Sequence, residues 1–376
     1  MLPEPPLWLV LIAFLCLLGP LVFFHELGHY SVARLFGIPA ETFSIGFGRE
    51  LFGWNDRQGT RWKVSLLPLG GYVKFVGDMS PASDPADLES IPQHLRDRVF
   101  QTRPVWQRFL VVLAGPAANF VLAIIIFACF FAVFGMPSTS NRVVQVEPGS
   151  AASAAGVQPG DRIIQIGGRE TRSFEDVASI VILDAGEQTV AVVQRGSSVL
   201  NLPVTIRSAV IRDRWGQTHK LGRLGVLGGE PAYQRLPALR ILPAATSYTF
   251  NITQSMVDGL WQVVTGRVEK KELGGPIKIA QVAGQQAELG VLPFIGLLAL
   301  FSINLGFINL LPVPMMDGGH LFFYVIEAIR RRPVSAQALD LAFRGGLALV
   351  FALMLFLTIN DLGSLGLWDR LQRLIG

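Results

Sequence analysis

The chain has 376 residues, of which 51% are hydrophobic and only 16% charged, with a mean hydropathy of +0.44. Soluble domains carry roughly a quarter charged residues, so this balance points to an integral membrane protein in contact with a lipid bilayer. The net charge of +4 comes from dispersed Lys and Arg, which leaves no concentrated basic patch and argues against nucleic acid as a partner.

Leu7 to Phe24 carries no charged residue and runs on through His25 to about Val32, so residues 1–32 are expected to form a first transmembrane helix. The opening MLPEPP lacks Lys and Arg and carries Glu4, the wrong flank for a cleaved leader, so the helix is read as retained. Near its end stands HELGH. On a helix His25 and His29 lie four apart and project from one face, with Glu26 one residue round. Ionisable groups at membrane depth are costly and mark function. Two imidazoles at this spacing suit Zn²⁺, with the intervening carboxylate as general base.

Residues 33–108 are expected to form a cytoplasmic-side β region and connector. TFSIGFGRELFGW and TRWKVSLLPLGGYVKF, within Ala40 to Val76, are rich in aromatic and β-branched residues and read as short strands around a turn at Asn55 to Gly59. Gly70 and Gly71 suggest a bulge or a close approach of backbone. From Gly77 to Arg108 the chain is polar, and His94 there is expected to be solvated.

A second transmembrane helix is expected at 109–137. It opens RFLVVLAGPAANF, where Gly115, Ala117 and Ala118 permit close helix packing and Asn119 could bond across helices. Packing alone accounts for that group. Cys16 and Cys129 lie in the first two apolar runs and are expected to be buried small hydrophobes without a disulfide.

Residues 138–208 read as a soluble module of short strands and Gly-rich turns, with a helix from Ser173 to Leu183 started by a Ser cap. Residues 209–290 come next as a linker with an amphipathic helix near Leu239 to Val264 on the outer surface. A third transmembrane helix is expected at 291–320, uncharged from Val291 to Met316 and closing on NLLPVPMMDGGH. Pro312 and Pro314 disrupt the helix, Gly318 and Gly319 loosen the chain after it, and broken helices at membrane depth are tolerated where they line a cavity. Asp317 is the candidate third metal ligand, while His320 reads as interfacial or supporting. A loop at 321–344 and a fourth helix with tail at 345–376 complete the chain.

Lys and Arg concentrate between spans one and two and again at Arg330, Arg331, Arg332 and Arg344, which places both loops in the cytoplasm and both termini outside. HELGH and Asp317 then reach the same cytoplasmic side independently.

With HELGH in span one, a Gly-rich β region, AGPAAN, GSAASAAGVQPGDRIIQIGG and NLLPVPMMDGGH in this order, the chain resembles the site-2 protease family. It is most similar to the RseP-type regulated intramembrane zinc metalloproteases. The resemblance implies a polytopic α-helical membrane protein of about four transmembrane helices, with a membrane-associated β region and one inserted extracytoplasmic PDZ-like α/β domain. It implies zinc held by His25, His29 and Asp317, with Glu26 as base. Asn309, less strongly Asn304, and the β region with Gly70 and Gly71 would handle substrate. It further implies residence in the bacterial inner membrane, with the site toward the cytoplasm and the PDZ-like domain in the periplasm. Substrates would be single-span membrane proteins of the anti-sigma factor type, or remnant signal peptides. One departure stands out: enteric relatives carry two PDZ modules, and the residues from Ser208 to about Leu239 are too few for a second. On the residues alone, a non-catalytic membrane scaffold and a metal transporter are alternatives, and Glu26 beside the two His favours the protease.

Overall fold

The computed structural model describes residues 5–76, 96, 98–171, 173–184, 186–212, 218–228, 231–264 and 275–364. The expected connector with His94 lies largely outside the described residues. Two compact units emerge, one formed by Met1–Phe127 with Ala245–Gly376 and the other by Ala128–Ala244.

The first unit opens with helix α1, Leu7–Leu35, which contains Pro20 and closes with Arg34 in its last turn. Gly37 comes next at φ 68, a left-handed conformation that turns the chain into the next element. Strands β1 (Ala40–Asn55) and β2 (Arg61–Phe75) form a hairpin that folds back on itself into short paired segments around a turn, as expected: residues 42–45 pair with 71–74 on one side and with 61–64 on the other, and 50–55 pair with 61–65. Its turn is organised by Asp56, whose carboxylate accepts from the Gln58 and Thr60 N–H groups (2.8 and 2.9 Å), Tyr30 Oη (2.9 Å) and Trp62 Nε1 (3.0 Å). Tyr30 belongs to α1, so this turn is tied to the helix that carries HELGH. Trp62 stacks on Phe43 with ring centroids 4.2 Å apart. Phe47, Leu51, Phe52, Trp54, Leu66 and Leu67 leave large apolar surface on the hairpin uncovered.

Helix α2, Val105–Val133, comes after a short 3-10 turn at Phe100–Thr102. Cys16 on α1 and Cys129 on α2 are both exposed, contrary to the burial expected of them. A membrane helix turns apolar side chains outward as readily as inward, because its surroundings are also apolar.

The second unit contains β3 (Met136–Thr139), β4 (Val143–Val146), α3 (Ala151–Ala154), β5 (Arg162–Ile166), β6 (Arg169–Glu170), α4 (Phe174–Leu183), β7 (Gln188–Arg195), β8 (Ser198–Thr205), β9 (Arg207–Arg212), β10 (Thr218–Arg223), β11 (Val226–Gly228) and β12 (Pro231–Gln234). Strands pair in the order β6-β5-β7-β8, with β4–β11, β3–β12 and β9–β10 as separate ladders. Helix α4 begins with a capping box between Ser173 and Asp176, the start signal read from the sequence. Ile163, Ile166, Val177, Ala191, Val193 and Ile206 lie in its core. Because β11 and β12 pair back onto β4 and β3, this unit continues past residue 208 to Gln234, where a linker was expected.

Returning to the first unit, α5 (Ala238–Val264), α6 (Pro276–Glu288), α7 (Val291–Leu310), α8 (Asp317–Arg330) and α9 (Ala336–Ser364) complete the chain. Asp361 of α9 accepts from the N–H groups of Gly275 (2.9 Å), Ile277 (3.1 Å) and Lys278 (3.1 Å), capping the start of α6 from across the fold. Among the described residues, four helices are long and apolar enough to cross a membrane: Leu7–Leu35, Val105–Val133, Val291–Leu310 and Gln337–Ile359. One core gathers Ala33, Phe43, Val73, Val111 and Leu321 from α1, the hairpin, α2 and α8. A second joins Ala13, Leu17 and Leu21 of α1 to Ala283 of α6.

Candidate metal centre

His25 and His29 project from one face of α1 and meet Asp317, the first residue of α8. His25 Nε2 lies 3.1 Å from Asp317 Oδ2, His29 Nε2 lies 3.5 Å from the same oxygen, and the two Nε2 atoms are 3.3 Å apart. A tetrahedral zinc with bonds of about 2.0–2.1 Å sets its ligand atoms about 3.3–3.4 Å from one another. The three atoms therefore form a triangle of the right size for one face of such a site. Asp317 Oδ2 is buried and, among the described residues, receives no hydrogen bond. A buried carboxylate oxygen without a donor is costly, and a cation between it and two imidazole lone pairs resolves that cost. The donor set fits Zn²⁺.

Helix α2 supports both rings from behind. His29 Nδ1 donates to the Val111 carbonyl (2.9 Å), which leaves its Nε2 lone pair directed at the cluster. Asn119, fully buried, places its carboxamide 3.1 Å from His25 Nδ1. Between them Gly115 leaves room for the His29 ring, since any Cβ there would overlap it. Gly28 of α1 and Ala114 of α2 approach closely by the same absence of bulk. AGPAAN thus does more than pack helices, which is all its composition suggested; only the polar Asn119 among apolar neighbours signalled it.

Asp317 does not continue the third apolar span. Helix α7 stops at Leu310, the residues around Pro312 and Pro314 leave helical geometry with Met315 at φ 81, and α8 restarts at Asp317. The break at these prolines is the one the sequence indicated, whereas Gly318 and Gly319, expected to loosen the chain, lie buried in the first turn of α8. Gly319 is obligatory at this restart, because a Cβ would lie 2.8 Å from Pro314 Cα. Further along α8, Glu327 pairs with Arg108 of α2 at 2.7 Å, and the guanidinium sits 4.9 Å over the Tyr324 ring. This largely desolvated clamp holds α8 against α2.

Glu26 sits beside the cluster, where both histidines and Asp317 act on it electrostatically. A Cβ on Gly71 of β2 would lie 2.9 Å from Glu26 Cγ and 2.6 Å from Val22 Cγ1, so the hairpin backbone runs directly against this side chain. Gly70, at φ 152, instead borders the Phe47 ring. Asn304 and Asn309 lie half-buried on α7, and among the described residues no hydrogen bond joins either to His25, His29 or Asp317. The His320 ring packs 4.7 Å from Phe343, one turn beyond the cluster.

A model of peptidase family M50 matches residues 13–353. The protein named "Putative zinc metalloprotease Atu1380" of Agrobacterium fabrum is 40% identical over 94% of this chain and 96% of its own length. "Metalloprotease MmpA" of Caulobacter vibrioides is 38% identical over 94% of this chain and 95% of its own. Among solved structures, the PDZ domain of an SdrC-like protein from Listeria monocytogenes is similar over 23% of this chain and 84% of its own. That likeness, at 16% identity and a TM-score of 0.19, is too low to bear on the fold.

Proposed function

This chain belongs to peptidase family M50, the site-2 protease family, and from that premise we propose that it cleaves single-span membrane proteins within the bilayer, using His25, His29 and Asp317 as zinc ligands. It is a membrane zinc metalloendopeptidase. The observation that carries the reading is the convergence of three ligand atoms, all within 4.8 Å of one another, with Glu26 alongside. Zinc held there supplies a Lewis acid that makes water a usable nucleophile near neutral pH. The Glu26 carboxylate accepts the proton of the attacking water and returns it to the departing amide nitrogen. The β1–β2 hairpin passes Glu26 at Gly71, and an unwound substrate segment added to its edge presents scissile carbonyls that an intact helix would hide. Asn309 and Asn304 serve substrate on the α7 side.

The Lys and Arg distribution supports a site in the cytoplasmic leaflet, and together with the family it supports residence in a bacterial inner membrane with the Ala128–Ala244 unit on the periplasmic side. That unit is read as PDZ-like, with a groove between α4 and the 222–227 segment lined by Glu147, Phe174, Val177 and Leu227. The substrates are of the anti-sigma factor type, with remnant signal peptides as a second class. The test is Glu26→Gln in a reconstituted system with a single-span substrate. Zinc content should stay at the parent level while cleavage falls by roughly 10²–10⁴-fold, the usual worth of a general base. Undiminished cleavage by this variant overturns the assignment.

A further inference from the structure

Val111, Gly115 and Asn119 recur every fourth residue along one face of α2, matching the four-residue spacing of His25 and His29 on α1. The Val111 carbonyl settles the tautomer of His29 by accepting its Nδ1 proton. No backbone group does the same for His25 among the described residues. Its Nδ1 faces the Asn119 carboxamide at 3.1 Å, while its Nε2 faces Asp317 and His29.

We propose that Asn119 is a positioning residue that holds His25 in the tautomer able to ligate zinc, through a hydrogen bond from His25 Nδ1–H to Asn119 Oδ1. The inference rests on the reading of His25 as a ligand. A neutral imidazole carries one ring proton, and a ligating Nε2 must offer its lone pair, so the proton belongs on Nδ1 and requires an acceptor. Asn119 is 0% exposed, and its Oδ1 is buried and receives no hydrogen bond among the described residues while Nδ2 faces the ring. A half-turn of the carboxamide exchanges two atoms of nearly equal size and brings Oδ1 to the Nδ1–H. Ser302 Oγ of α7 donates to the Asn119 carbonyl at 2.7 Å, which fixes the backbone from which the amide swings. A residue present only to pack three apolar helices has no reason to carry a carboxamide at this depth.

The experiment compares zinc affinity of the full chain in detergent, by chelator competition, for the parent, Asn119→Leu, Asn119→Asp and His25→Ala. Asn119→Leu removes the acceptor at similar volume and should weaken zinc binding about 10–100-fold, the usual cost of losing the partner of a ligating histidine. Asn119→Asp keeps an acceptor and should bind within about three-fold of the parent or tighter, as in carboxylate–histidine–zinc arrangements. In the zinc-loaded parent, ¹⁵N NMR should show His25 protonated at Nδ1. Parental affinity in Asn119→Leu, equal weakness in the Leu and Asp variants, or a proton on Nε2 overturns the proposal. Should Asn119→Leu not fold, the Asp variant and the parent spectrum still decide. Unchanged zinc in His25→Ala would sink the ligand assignment itself, a different failure from unchanged zinc in Asn119→Leu alone.

Discussion

Two kinds of polar hub stand in this molecule, the closed ones of the Ala128–Ala244 unit and the open one at the metal centre. In the Ala128–Ala244 unit, Asn141 donates to the carbonyls of Ile163 and Thr171 (2.7 and 2.9 Å) and accepts from Arg162 Nε (2.7 Å). Asp161 takes both arms of Arg195 (2.7 and 2.8 Å) together with the Gln158 N–H (2.8 Å). Burial pushes the Asp161 carboxyl up, yet these donors outweigh it and hold it below the usual range. These hubs are closed: their side-chain donors and acceptors are engaged, and their role is to fix strand and turn. In the membrane unit the corresponding hub is open. Asp317 Oδ2 and Asn119 Oδ1 are buried and, among the described residues, without hydrogen-bond partners, side by side with two imidazoles. Satisfied polar groups maintain a fold, and unsatisfied ones that converge announce a ligand.

The largest expected effect breaks the open hub. Gly115→Ala drives a methyl into the His29 ring, and zinc content per chain should fall far below the parent with loss of proteolysis. Overpacking of this kind costs about 1–3 kcal/mol, so the helical circular dichroism should survive. Normal zinc content would show that His29 tolerates displacement. A closed hub should behave differently. Asn141→Ala removes the side-chain donor to the Thr171 carbonyl and the acceptor of Arg162 Nε, and leaves the Ile163 carbonyl with Thr171 Oγ1 as its side-chain donor, destabilising strand β5 by about 1–3 kcal/mol in amide exchange measured on the full chain, with zinc content unchanged. A parallel loss of zinc would mean that the two units are not independent.

The smallest effect concerns Asp56, a closed hub within the membrane unit. Burial raises its carboxyl, but hydrogen bonds from Trp62, Thr60, Tyr30 and Gln58 prevail and bring it from 3.8 to about 2. A depressed carboxyl contributes stability above its unfolded value and loses that contribution as pH falls through its folded value. Trp62 fluorescence should therefore hold steady down to about pH 4 and change between about pH 4 and 2, a transition absent in Asp56→Asn. A flat parent profile would show that the turn does not depend on this charge.

Much of the membrane part was legible because its signals are local. Long uncharged runs announce helices, and HELGH and PMMDGGH carry ionisable groups where lipid penalises them. The Ser173 cap was equally local. The features that escaped depend on residues far apart in sequence. The pairing of β11 with β4 joins Val226 to Val146, and no periodicity reveals it. The role of Asn119 needs α2 set against α1 in one register. The outward turn of Cys16 and Cys129 needs knowledge of which helix faces lack neighbours.

The ladder of Val111, Gly115 and Asn119 makes the length of α2 a functional quantity. Inserting one residue between Val111 and Asn119 would rotate everything beyond it by about 100°, sweeping the amide away from its imidazole while leaving an equally greasy rod that still crosses the bilayer. Two stretches of the chain that look like interchangeable lipid anchor are thus indexed against each other, tooth for tooth.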